Sequence, residues 1–374
     1  MWSWLQFDSL KHHQVFYNYG HRFAYLRHVI IDSQNAFEKH GGEPVEDVLD
    51  QERKSELLDL PSGFFSLACE DMPVSHFSGS YLDTWMNVTV SETRTKNKTE
   101  VDDVVSGYTL ALQRYKYTSL LNTMATVYNA FLTTLVLNVT PPINILIMDG
   151  HPYNVMNELW SNVFGKVVRA GHLSGKIKFE NMIWNIPEEK SLMLQPAKGS
   201  MPFADEFRQF IFSAYGVSSE RNVMCGKLSL LFVWRRDYIT HARNSKGNVS
   251  RKIVNEKELL SAVQKTFPSF DVSGYQMDTF SMKTQLKLVA QTDVLMGMAG
   301  SGLTHALFLP QNGAVVEVKS GSLNPTISQF EAMARWRDLK YGSVSIEAQE
   351  QDHYVYVPPK DMIDVVKRVV SNMC

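Results

Sequence analysis

The sequence predicts an α/β protein whose C-terminal half is a parallel, doubly wound sheet of the Rossmann type. Three observations carry that expectation. From Leu228 onward, short apolar runs alternate with amphipathic helical segments, the order that joins parallel strands by crossover helices. The run Val294-Leu295-Met296 leads into Gly297-Met298-Ala299-Gly300-Ser301-Gly302-Leu303-Thr304-His305, which reads as a strand, a glycine-rich turn and a helix start. Composition adds the third: 374 residues, 44% hydrophobic and 20% charged, suit two folded domains rather than a disordered chain.

Taken in order, residues 1–60 show only weak periodicity, with a turn at Gly41-Gly42-Glu43-Pro44. Residues 91–104 read as an exposed loop. Tyr117 to Leu137 repeats apolar residues at helical spacing and ends at Pro141-Pro142. Ile143 to Met148 is a strand with Asp149-Gly150-His151 at its carboxyl end, and Asn154 to Phe164 is the helix after it. Ala204 to Tyr215 is an amphipathic helix closed by Gly216. Strands are expected at 228–234, 270–277, 293–296, 314–318 and 342–346. Helices are expected from Asn255 with a capping box to Glu258, from Ser281, over 327–339 and over 359–372. The domains are residues 1–215 and 216–374, and the closing helix is expected to cross back and brace the first half.

The formal net charge of −2 leaves no global basic field for nucleic acid. Cys69, Cys225 and Cys374 contain no C-x-x-C pair, so no zinc or thioredoxin-type site is expected. At most one disulfide within the chain is possible. Cys374 can staple the C-terminus in an oxidising compartment. Four N-x-S/T sequons stand at Asn87, Asn97, Asn138 and Asn248. Residues 1–8 have no basic region followed by an apolar core and do not read as a signal peptide. Membrane attachment is expected only through an anchor upstream of this sequence.

The chemistry falls into two groups. Arg235 and Arg236 leave a strand end of the second half, with Arg251 and Lys252 close behind in sequence. Forked guanidinium donors suit a diphosphate. The turn at 297–302 leaves another strand of that sheet at the same edge, where Gly300, Ser301 and Gly302 bring backbone N–H groups to an anion. Glu317 ends a further strand and can accept hydrogen bonds from ribose hydroxyls. In the first half, Asp149 and His151 are the candidates for proton transfer. Each has a plainer reading: an exposed basic loop, a steric glycine turn, a turn-capping aspartate, a core histidine at His305.

The runs Leu231 to Tyr238, Ser250 to Glu256 and Gly297 to His305 resemble glycosyltransferase family 61. The resemblance covers roughly residues 41–374. It implies a GT-B fold, with two Rossmann-like domains facing across a cleft. It also implies a UDP-sugar donor carrying xylose or GlcNAc, inversion at the anomeric carbon and no cofactor or metal. An N-glycan or protein acceptor and an ER or Golgi lumen address complete it. Arg235, Arg236, Arg251, Gly300, Gly302, Thr304 and His305 match the family and would hold the donor, with Ser301 and Glu317 beside them on the reading of the residues alone, and Asp149 with His151 would activate the acceptor. Two departures stand out. The family's G-x-H-G-A-G turn has Ala299 for histidine and Ser301 for alanine. Its N-x-x-H-x-x-x-D helix pattern reads Ser119, Asn122 and Thr126 here. A non-catalytic relative that binds nucleotide or glycan is therefore the second reading, and a cytosolic NAD-dependent enzyme the third. The turn is not G-x-G-x-x-G and lies on a late strand, which weighs against NAD.

Overall fold

The chain sorts into two units, each built on its own sheet. The computed structural model describes residues 9–12, 15–20, 22–35, 40–69, 81–92, 100–218, 221–239, 241–321, 328–346 and 354–374. The first unit takes Met1–Thr118, Asn122–Ser191 and Thr240–Ser245; the second takes Ser119–Leu121, Leu192–Ile239 and Lys246–Cys374.

The first unit carries β1 (Ser9–His12), β2 (Phe16–Tyr19), β3 (Phe23–Asp32), β4 (Phe65–Leu67), β5 (Thr89–Ser91), β6 (Asp103–Leu112), β7 (Asn144–Ile147), β8 (Val167–Arg169) and β9 (Lys176–Trp184), with α1 (Tyr81–Asn87), α2 (Leu120–Leu137) and α3 (Asn157–Val163). The strands form one mixed sheet in the order β1-β2-β3-β9-β6-β7-β8, with β4 and β5 branching from β3. From β9 to β8 the neighbours run parallel; from β1 to β9 they run antiparallel. The long strands β3 and β9 escape a period-2 reading for a definite reason. His28 takes a left-handed φ of 57°, and the inward set changes from Ala24 and Leu26 to Val29 and Ile31. On β9 it changes from Met182 and Trp184 to Ile177 and Phe179. A local irregularity of this kind swaps the faces of a strand. Trp85, Trp184 and Phe65 fill the core, with ring centroids 5.2–5.9 Å apart. By length and composition α2 could cross a bilayer; 78% of it is buried within the fold.

The second unit carries α4 (Ala204–Tyr215), β10 (Ser229–Val233), β11 (Lys252–Ile253), α5 (Glu256–Thr266), β12 (Asp271–Tyr275), α6 (Met282–Ala290), β13 (Val294–Met298), β14 (Ala314–Ser320), α7 (Gln329–Trp336), β15 (Lys340–Ile346), β16 (Tyr354–Val355) and α8 (Pro359–Met373). Its main sheet runs β12-β10-β13-β14-β15, all parallel. The strand order reverses between β10 and β13, and such a switch point leaves a crevice at the carboxyl ends where ligands bind. β11 and β16 form a separate parallel pair. α5 and α8 cover one face, burying Leu259, Val263, Met362, Val365, Val366 and Val369 against Phe232, Met296 and Val316.

Two helix ends correct the expectation. Asn255 makes no capping bond to the α5 backbone. Its side chain turns to Val357 instead, accepting from the Val357 N–H at 3.1 Å and donating to its carbonyl at 2.8 Å. Helix α8 does not cross back: it packs on β14, β15 and α5 and ends in a disulfide from Cys374 to Cys225, 149 residues apart in sequence. Cys69 is buried. Replacing Cys225 and Cys374 together by serine is expected to cost about 2–4 kcal/mol, because the open loop regains freedom in the unfolded chain. Denaturant melts with and without dithiothreitol check it: the reductant should destabilise the native chain and leave the double variant unchanged.

Candidate active site

Successive residues leaving a strand point to opposite sides, and this separates Arg235 from Arg236 at the end of β10. Arg236 is exposed and paired with Glu256 at 2.6 Å, which removes it from the expected anion site. Arg235 turns toward β13. Its Nε donates to the Ser250 carbonyl at 3.1 Å, and its Nη1 lies where a Cβ on Gly300 would collide with it. Burial and then the Arg251 charge lower the Arg235 guanidinium below its usual value. Arg251 itself holds a left-handed φ of 58°. Two guanidiniums thus sit together with no carboxylate among the described charges acting on Arg235.

Gly297, Gly300 and Gly302 serve close approach rather than unusual φ. None of them lies in the left-handed region of φ. A Cβ at Gly297 would meet the Val233 carbonyl oxygen at 2.9 Å, and one at Gly302 would meet Val233 Cγ1 at 2.9 Å. The helix that follows is a 3₁₀ helix over Ser301–Phe308. The N–H groups of Ser301 and Gly302 belong to its first turn, outside its own hydrogen-bond ladder. The structure therefore brings together Arg235, Arg251, Gly300, Ser301 and Gly302 at the switch point.

Thr304, His305 and Glu317 are placed differently. Thr304 is buried, and its hydroxyl has no partner. His305 is buried between the Gly302 carbonyl, 2.7 Å from Nδ1, and Gln285 Oε1, 2.9 Å from Nε2. Both lie buried behind the turn, where His305 is held by its two partners. Burial lowers the His305 ring to about 4, against the hydrogen bond to Gly302 that raises it. A folded value below the unfolded 6.5 stabilises above pH 6.5 and is lost as pH falls toward 4. The native chain should therefore lose stability over that window more than His305→Gln does, as read by urea melts at a series of pH values. Glu317 does not end its strand as expected: it is buried in the middle of β14, where its Oε2 accepts from Ser328 Oγ and Tyr341 OH, both at 2.6 Å.

In the first unit, β6, β7 and β8 end side by side, and Arg114, Asp149 and Arg169 meet there. Asp149 is fully buried and receives Arg114 Nε at 3.0 Å, Nη2 at 2.7 Å and the Arg114 N–H at 2.9 Å, with the His151 N–H at 3.2 Å. Burial would raise its carboxyl, but Arg114, His151 and Arg169 outweigh this and hold it well below the carboxylate range. His151 Nδ1 lies 2.9 Å from Glu56 Oε2 and its Nε2 lies 2.7 Å from the Arg114 carbonyl. Glu56 also pairs with Arg243 at 2.6 Å. Burial would raise the Glu56 carboxyl, and the bonds from His151 and Arg243 bring it down to about 2. The expected acid–base pair is thus corrected: Asp149 and His151 are spent inside a buried ionic network.

Arg114, Glu56, Arg169 and Arg243 went unread as members of that network. Asp149 and Arg114 are 35 residues apart, and His151 and Glu56 are 95. No spacing rule reaches across such distances. Asn122 donates to Glu188 Oε1 at 2.6 Å, and Thr126 donates back to the Asn122 carbonyl at 3.0 Å. Asn87, Asn138 and Asn248 are exposed; Asn97 lies outside the described residues. Among the described residues no cluster of three or more His, Cys, Asp or Glu side chains could hold a metal ion.

A sequence model described as Glycosyltransferase 61 matches residues 113–316, more than half of the chain. The chain belongs to glycosyltransferase family 61. It is similar to a beta-1,2-xylosyltransferase of Oryza sativa subsp. japonica, 24% identical over 265 residues, covering 64% of this chain and 49% of that protein. A beta-1,2-xylosyltransferase of Arabidopsis thaliana is 22% identical over 277 residues, covering 64% and 51%. An EGF domain-specific O-linked N-acetylglucosamine transferase of Bos taurus is 43% identical over 70 residues, covering 18% and 13%. The chain spans about half the length of the two plant family members. The family match takes in Asp149, Arg235, Arg251 and the 297–302 turn.

Proposed function

We propose that this protein is a GT-B glycosyltransferase that moves xylose or GlcNAc from a UDP-sugar to a glycan or protein acceptor, with inversion and without a metal. One observation carries the reading. Arg235 and Arg251 converge without a carboxylate beside the Gly300 turn, at the point where the strand order reverses. A departing UDP supplies the missing negative charge. The guanidiniums and the amides of Ser301 and Gly302 then stabilise that charge as it develops, the task a metal performs in other transferases. Glu317, on β14, would receive the ribose. A luminal address in the ER or Golgi is supported by the Cys225–Cys374 disulfide and by the exposed sequons at Asn87, Asn138 and Asn248.

Calorimetry with UDP, beside UDP-release assays with UDP-xylose and UDP-GlcNAc in EDTA, tests this. Binding and turnover are expected, and a chain that binds no UDP sinks the reading. A second reading, a relative that binds but does not transfer, draws on Ala299 and on the occupied Asp149. UDP binding without UDP release against glycan and protein acceptors would select it.

Gly300→Ala separates site from fold. The Gly300 φ of 167° is extended backbone open to any residue, so the substitution is expected to leave melting unchanged within about 1 kcal/mol. The new methyl displaces Arg235 and lowers UDP affinity about tenfold. Unchanged affinity would remove Arg235 from the donor site.

A further inference from the structure

The chain leaving β10 and the start of α5 enclose a groove of about 670 Å³ whose inner end is Arg235. Its floor is the β11–β16 pair, and Tyr354 stands at its outer end. Lys252 Nζ sits 4.5 Å over one face of the Tyr354 ring. The residue is still 56% exposed, which leaves ring surface to solvent. Tyr356, two residues on and on the same side of the strand, is 52% exposed and donates to Glu258 at 3.2 Å.

The charges lining this groove cancel. Lys252 pairs with Asp237 at 2.5 Å and Arg236 with Glu256 at 2.6 Å. Asn255 is held rigid by Val357. Beyond Arg235, the lining charges balance, Arg236, Lys252 and Lys257 against Asp237, Glu256 and Glu258, so the groove carries no net pull on an anion. It offers an aromatic face and fixed planar polar groups. A pyranose fits that combination: its C–H face lies on the negative face of an aromatic ring, and its hydroxyls reach carboxylate, amide and guanidinium groups. The volume falls within the roughly 300–1,000 Å³ of small-molecule sites and is too small for a folded protein module.

We propose that this groove holds the neutral saccharide of the acceptor, with Tyr354 as its stacking platform. The assignment rests on the transferase reading. The inner end meets Arg235, where the diphosphate would depart. The outer end opens to solvent, as a glycan attached to a larger molecule requires and a small donor does not.

Tyr354→Ala and Tyr354→Phe test it, with acceptor kinetics at saturating UDP-sugar, UDP calorimetry and melting run on each. The alanine variant is expected to raise the acceptor KM about tenfold with UDP affinity and melting unchanged, and phenylalanine to restore the KM to within about twofold. An unchanged acceptor KM overturns the proposal. So does a parallel loss of UDP affinity, which would give the groove to the donor, or a KM shift seen only with a protein acceptor that carries no glycan. A wild type that does not bind UDP fails the transferase reading separately. Binding of a free N-glycan core oligosaccharide, read by saturation-transfer NMR in the wild type and in Tyr354→Ala, still decides the groove. Loss in the variant supports it, and equal or absent binding in both overturns it.

Discussion

Arg235→Ala is expected to cut turnover about 10²–10³-fold, the usual loss when a donor aimed at developing charge is removed, and to weaken UDP binding in calorimetry. The physical reason is that Arg235 is half-buried beside Arg251 with no carboxylate acting on it. Among the described residues no ion pair holds its charge, which leaves it for the proposed donor. Arg235→Lys should recover only part of the loss, since an ammonium lacks the planar fork. The adjacent Arg236→Ala, assayed at saturating acceptor because Arg236 also lines the groove beside α5, is the control. Arg236 is held by Glu256 and should change turnover by less than about fivefold, the scale of an exposed pair. Equal effects at the two positions would show that the reversal of side at the strand end does not organise the site.

The second large effect is on stability. Asp149→Ala is expected to destabilise the first unit by about 3–5 kcal/mol, because it strands the buried Arg114 guanidinium without its partner. Asp149→Asn keeps the shape but loses the charge and should destabilise in the same direction. The pH dependence follows from depressed carboxyls. A group whose folded value lies below its unfolded one stabilises above the unfolded value and loses that contribution as pH falls through the folded one. Glu56, at about 2 against 4.5, and Asp149, lower than its usual 3.8, should thus keep the network intact to near pH 4 and release it below. Urea melts from pH 7 to pH 3 read both effects. If Asp149→Asn left melting unchanged and removed turnover, Asp149 would return as the base.

Legibility differed between the halves for a physical reason. In the second unit each strand is a short continuous apolar run and each helix carries its own stop, as at Gly216, left-handed at φ 59° after α4. Ser281 accepts from the Thr284 N–H at the start of α6. These signals are local, and they located every strand of the five-stranded sheet. In the first unit the irregularity at His28 exchanges the faces of β3 and β9, so the alternation that marks a strand cancels over its length. The residues that fix the site's surroundings are also far apart in sequence: Arg114 with Asp149, Glu56 with His151 and Arg243.

The sequence by itself determined the parallel second sheet, the glycine turn after β13, the basic run after β10 and the likeness to family 61. Each depends on neighbouring residues and on periods the chain repeats. Only the tertiary structure decided which polar groups are free to act. It set Arg235 against Gly300 and turned Arg236 to Glu256. It closed Asp149 and His151 inside a buried network and joined Cys374 to Cys225. A side chain's availability depends on burial and on partners brought from elsewhere in the chain, and residue type alone carries neither.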